Sequence, residues 1–224
     1  MKQTLNAMKK GILIAFLSLL MGFTFSAPAQ ALTIFTDRAL FLAATSSVTN
    51  IDFEENASGT FTAYGEGGTG VAIFSGVTFT SSGSLFTVDP DYYNPFYDWG
   101  SGDVLLDAFA SGLIHASLPA GYTAVGSDFM SFDPYASDFF VTLSTGDVVH
   151  VSSAGYSTRA FVGFTSDVPI TSITFDAEDS TNALLDNFVF GDKTREENNV
   201  IPEPATMLLL GSGLVGLARL KRKK

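Results

Sequence analysis

The sequence predicts an all-β protein, a β-sandwich of jelly-roll type with one short helix near its start. From Val48 onward, Thr, Val, Ile and Phe recur in short runs punctuated by Gly, Ser, Asp and Pro, the pattern of many strands joined by turns. Apolar and polar residues alternate imperfectly in those runs, as from Ile170 to Asp176, so one face of each strand turns toward a second sheet. The chain also holds 21 Phe, enough large rings to fill the layer between two sheets.

The elements follow in order. Thr36 to Ala44 places apolar residues at helical spacing behind Thr36, a good N-cap, and predicts the single helix. Strands are expected at Thr49 to Phe53, Gly76 to Thr80, Phe129 to Phe132, Phe139 to Leu143 and Val148 to Ser152. Others are expected at Arg159 to Phe164, Ile170 to Asp176 and Leu184 to Phe190. The total is about ten strands. Ser144-Thr145-Gly146-Asp147 turns a hairpin. Gly65 to Gly70 spells a dinucleotide fingerprint, but Val71 to Phe74 behind it reads as a strand, whereas the fingerprint must open a helix. It is read as a hairpin turn.

The two ends differ from the middle. Residues 1–31 read as a signal peptide: Lys2, Lys9 and Lys10, an apolar run from Gly11 to Phe25, and Ala29-Gln30-Ala31 as the small residues of a cleavage site. Residues 32–191 form the β-sandwich domain, and the charged stretch 192–200 a flexible linker. Residues 201–224 contain Pro202, Glu203 and Pro204, an apolar helix from Ala205 to Ala218, and a basic terminus from Arg219 to Lys224. The apolar part is shorter than the roughly 20 residues that cross a bilayer comfortably. The basic end should stay cytoplasmic, leaving the domain on the outer face.

This order of parts, a Pro-Glu-Pro triplet, a short apolar helix and an Arg/Lys-rich terminus, resembles the PEP-CTERM sorting signal of exopolysaccharide-producing Gram-negative bacteria. The family pattern usually has Val before the triplet, and here Ile201 stands there. The resemblance implies handling by an exosortase-type membrane protease, transient anchoring in the inner membrane, and release to the cell surface or extracellular matrix. Three short segments, Asp52-Phe53-Glu54, Gly76-Val77-Thr78-Phe79 and Asp186-Asn187-Phe188, are similar to signatures of passenger domains found upstream of such tails.

Composition narrows the partners. From Leu32 to Asn199 the cations are Arg38, Arg159, Lys193 and Arg195 against 22 Asp and Glu, a formal charge of −18. Nucleic acid, which requires Lys/Arg clusters, is excluded, and polyanionic polysaccharides are repelled unless divalent cations bridge them. Neutral glycans and cations remain. There is no Cys, so thiol catalysis and disulfides are excluded.

Two constellations can carry function. The first and last strands of a jelly roll lie side by side, which would bring Asp52, Glu54 and Asp186 together. Calcium takes oxygen ligands of this kind, so a structural calcium is expected there. Solvated outward-facing acids are the plainer reading. The loop from Asp89 to Asp103 holds Tyr92, Tyr93, Tyr97 and Trp99, the only Trp. Aromatic faces stack on sugar rings while nearby polar groups meet hydroxyls, so these four are expected to contact glycan. Rings that pin the loop to the core are the alternative, and the Phe residues are read as core throughout.

His115 and His150 are the only histidines, and no Gly-x-Ser-x-Gly elbow accompanies them, which argues against a serine hydrolase. The expected function is a non-catalytic exported protein of the cell surface or polysaccharide matrix that binds glycan with calcium's help. The alternatives are a purely structural biofilm or surface protein and, third, a secreted glycan hydrolase using paired carboxylates.

Overall fold

The computed structural model of the chain describes residues 31–65, 69–92, 102–108, 112–131, 137–153, 159–178 and 182–194. They form a jelly-roll-type β-sandwich of two antiparallel sheets. The larger sheet contains β1 (Leu32–Phe35), β2 (Thr45–Ile51), β3 (Phe61–Tyr64), β6 (Ser84–Val88), β7 (Val104–Ala108), β9 (Ala124–Ser131), β12 (Ala160–Ser166) and β14 (Ala183–Lys193). Their order is β1, β12, β9, β14, β7, β6, β3, with β2 also on β14. The smaller sheet orders β11 (Val148–Ser153), β10 (Ser137–Leu143), β13 (Ser172–Ala177), β8 (Leu113–Ser117), β5 (Val77–Ser81) and β4 (Gly70–Phe74).

The alternation read from sequence is the alternation seen. In β13, Ile173, Phe175 and Ala177 are buried between the sheets while Ser172, Thr174 and Asp176 are not. The three passenger-like segments meet at their rings. Phe79 lies 5.5 Å from Phe53 and 5.1 Å from Phe188, both edge-to-face, and all three are buried. Such geometry adds about 0.5–1.5 kcal/mol per pair beyond area burial.

The outer face of the larger sheet is covered near its edge by α1 (Arg38–Ala43). The helix is capped by Asp37 and not by the expected Thr36. Asp37 adopts an extended backbone from which its Oδ1 accepts the Leu40 N–H at 3.0 Å. Phe41 packs beside Phe35 and Phe161 over Gly163, where any Cβ would strike the Phe41 ring.

Other differences from the sequence reading have local causes. Fourteen strands are present among the described residues, against about ten expected. Several of the additional ones, such as β1 and β3, are four residues long, too short to show a period. The Gly-rich run after Gly65 is not a hairpin turn, because β3 pairs β6 in one sheet and β4 pairs β5 in the other. The predicted turn at 144–147 does close the β10–β11 hairpin, with Gly146 at φ 92° donating to the Leu143 carbonyl.

β14 positions the candidate site. Along its N-terminal half it pairs β7, at Leu184↔Leu106 and Leu185↔Leu105, and along its C-terminal half β2, at Phe188↔Ile51 onward. The two partners lie end to end on the same edge. At the seam the register of β14 against β9 shifts between Asp186 and Val189.

Candidate functional site

At the seam, chain geometry and charge are both unusual. Asn187 and Phe53 have left-handed backbones, at φ 46° and 60°. Asn is among the residues that tolerate this region, whereas Phe does so only where its surroundings hold it, here a buried ring. Asp186 and Asp128 are cross-strand partners on the outer face of the larger sheet. Asn187 Nδ2 donates to both carboxylates, at 3.0 and 3.2 Å, and the Asn187 N–H donates to Asp186 Oδ1 at 2.6 Å.

Two guanidiniums complete the row. Arg159 Nη1 donates to Asp186 Oδ2. Arg38 reaches from α1 to donate to Asp128 Oδ1 at 3.2 Å and to the Asn187 carbonyl at 2.6 Å, with its guanidinium 4.8 Å from the centre of the Phe161 ring. Burial pushes the Asp186 carboxyl up to about 7 against the pull of Arg159 and the Asn187 N–H, and the charges of Asp128 and Glu54 push the same way.

The loop after β2 is fastened to the start of β7 across the seam. Glu54 Oε1 accepts the Asp103 N–H at 3.0 Å. Asp103 Oδ2 in return accepts from the N–H groups of Glu55 and Asn56 and from Asn56 Nδ2, at 2.7–3.2 Å. Glu55 Oε1 accepts from Thr87 Oγ1 at 2.8 Å. Desolvation raises the Glu54 carboxyl, the Asp103 N–H lowers it, and the charges of Asp103 and Asp52 raise it further.

The sequence reading placed Glu54 and Asp186 near one another, and both do stand at the seam. The arrangement does not fit a calcium ion. Asp186 has its oxygens engaged by Arg159 and Asn187, Glu54 faces Asp103, and Asp52 is exposed with Oδ1 3.5 Å from the Glu54 N–H. The positive charge beside Asp186 is a guanidinium. Among the described residues one trio brings metal-ligating atoms within 4.8 Å of one another, the exposed Asp138, His150 and Glu178 of the other sheet.

Tyr92 is the one glycan candidate within the described residues; Tyr93, Tyr97 and Trp99 lie outside them. It ends a short 3-10 helix, Pro90–Tyr92, and meets Phe61 edge-to-face with ring centroids 4.9 Å apart and planes at 67°. Phe61 meets Phe86 at 5.7 Å. Tyr92 is 43% exposed and Phe61 44%. They form an open aromatic corner on the edge strand of the larger sheet.

Hydrogen bonds fix that corner. Asp89 Oδ1 accepts the N–H groups of Gly59 and Asp91 at 2.7 and 2.9 Å, the Asp89 N–H donates to the Thr60 carbonyl, and Asp91 Oδ2 accepts Ser58 Oγ at 2.5 Å. Thr62 Oγ1 and Asn56 Oδ1, joined at 2.8 Å, supply polar groups along the same strand and loop. Sequence reasoning missed Phe61 by reading every Phe as core. The signal was Tyr64, which packs toward the core, so that period two turns Phe61 outward.

His115 is held between Thr174 Oγ1 and Ser117 Oγ at 2.8 and 3.2 Å, and His150 lies 3.4 Å from Asp138. Neither faces a serine placed as a nucleophile by a third group.

The tail settles how the chain is handled. Residues 200–223 match the model of the PEP-CTERM protein-sorting motif. This is a PEP-CTERM sorting-motif protein. Such a motif marks an exported protein handled by an exosortase at the membrane. The triplet Pro202, Glu203 and Pro204 and the apolar segment behind it lie outside the described residues, as do residues 1–30. Among the described residues no helix is long and apolar enough to cross a membrane.

Among curated proteins none matches the chain. Solved structures similar to it include a family 29 carbohydrate-binding module, 12% identical over 68% of this chain and 100% of that one, TM-score 0.29. A family 11 carbohydrate-binding module from Clostridium thermocellum is 15% identical over 66% and 98%, TM-score 0.30. A module from Clostridium stercorarium in complex with cellobiose is 16% identical over 65% and 94%, TM-score 0.26. Scores this low carry no weight for function.

Proposed function

We propose that this PEP-CTERM protein is a non-catalytic glycan-binding module of the cell surface or extracellular polysaccharide matrix. The aromatic corner of Phe61 and Tyr92 carries the reading. Two half-exposed rings fixed at an angle, with hydroxyl and amide groups beside them, are what a sugar requires: apolar faces for its C–H surfaces and polar atoms for its hydroxyls. A ring half exposed on an edge strand adds little to the core. Tyr93, Tyr97 and Trp99, which follow Tyr92 directly, extend the surface in this proposal.

The non-catalytic part rests on the carboxylates. The buried acids of the seam are engaged by Arg38, Arg159 and Asn187, and hydrolysis needs a pair free to protonate a leaving group and to attack or activate water. The direct test is binding of the purified full chain, in neutral detergent, to a glycan panel including the producing organism's own exopolysaccharide, alongside Phe61→Ala and Tyr92→Ala. Each substitution should weaken binding about tenfold or more without lowering the melting temperature. Unchanged binding by both variants would remove the corner from the site.

A further inference from the structure

We propose that the glycan recognised at the aromatic corner carries free amino groups, a de-N-acetylated amino-sugar polymer bearing positive charge. This rests on the glycan-binding reading and narrows it.

The chain has almost nothing with which to hold an anion. Residues 39–158 contain no Lys or Arg and 13 Asp and Glu. The three cations among the described residues are each committed to a carboxylate: Arg38 to Asp128, Arg159 to Asp186 and Lys193 to Asp167. The aromatic corner, in contrast, is bordered by acids. Asp91 adjoins Tyr92 within the same 3-10 helix, Asp89 precedes it, and among the described residues neither pairs with a cation. Both are bound by neutral donors that hold them in place and leave their charge uncancelled.

An ammonium on a sugar ring satisfies both features at once. It is drawn to the face of Tyr92 or Phe61 by the ring quadrupole and to Asp91 by charge. A uronate or sulfated polymer meets repulsion from the same groups, and a neutral one gains only the stacking contact.

The test compares three probes on the full chain: a fully deacetylated chito-oligosaccharide, its N-acetylated counterpart of equal length, and an oligogalacturonate, each at mildly acid pH, with calcium and again with chelator. The deacetylated probe should bind at least about tenfold more tightly than the acetylated one, a gap that narrows as salt rises and shrinks in Asp91→Asn. Equal affinity for the two chito-oligosaccharides overturns the inference while leaving glycan binding standing. Preferred binding of oligogalacturonate bridged by calcium overturns it as well. Absence of binding to all three and to the wider panel overturns the glycan-binding reading itself, and the inference with it.

Discussion

Replacing Arg159 by Gln removes the guanidinium from Asp186, a carboxylate that is only 2% exposed. Breaking a buried ion pair by deleting one partner costs about 3–5 kcal/mol, because the remaining charge is buried without compensation. The pH dependence separates this from a general packing loss. In the native chain Asp186 titrates at about 7, against a model value of 3.8, because burial favours its neutral form. Between those two values the folded state holds the proton that the unfolded state has released, so this group's contribution to stability falls as pH rises and levels off above the folded value.

The effect of Arg159→Gln should follow the ionised fraction of Asp186. At about pH 5 the carboxyl is neutral and the variant loses little, and by about pH 8 it is ionised and the full penalty applies. For a domain of this size 1 kcal/mol corresponds to roughly 2–4 °C, so the melting temperature of Arg159→Gln should fall below that of the parent by roughly 6–20 °C at alkaline pH and much less at acid pH. The assay is thermal unfolding followed by circular dichroism from about pH 5 to pH 8.5, with Asp186→Asn and the double variant completing a cycle. In the Asp186→Asn background, removing Arg159 should cost little at any pH. A loss independent of pH, or one undiminished in that background, would refute the reasoning.

Two further outcomes test the seam. Gly102 has φ 92°, and a Cβ there would collide with the Glu54 carboxylate, so Gly102→Ala should destabilise by about 1–3 kcal/mol in chemical denaturation and release Glu54 from the Asp103 N–H. Calcium at millimolar concentration should leave the melting temperature unchanged. A rise of several degrees, the mass-action signature of a ligand bound only to the native state, would contradict the assignment of Arg159 as the counter-ion of Asp186.

What could be read from the sequence follows from range. Strands with a full period of alternation, such as β10, β11 and β13, were placed within a residue or two because burial of one face is written in consecutive positions. The four-residue β1 and β3 carry too few positions for that signal. The convergence of Asp52-Phe53-Glu54 with Asp186-Asn187-Phe188 was legible because β2 and β14 do pair.

The chemistry at that meeting was not legible. Arg159 lies 27 positions before Asp186, and Arg38 lies 90 before Asp128. Nothing in local sequence announces pairs at such separations, so a cluster that looked like cation ligands was an internally neutralised row. Phe61 was hidden for a related reason: composition labels a phenylalanine as core, and only the register of β3 on the sheet edge turns its ring outward.

The account stands or falls on the aromatic corner. Affinity of the full chain for the tightest-binding glycan of the panel should drop by about a hundredfold in Phe61→Ala/Tyr92→Ala, with an unchanged melting temperature, since neither ring is buried in the core. Full affinity in that double variant, or failure of the parent chain to bind any glycan, would contradict it.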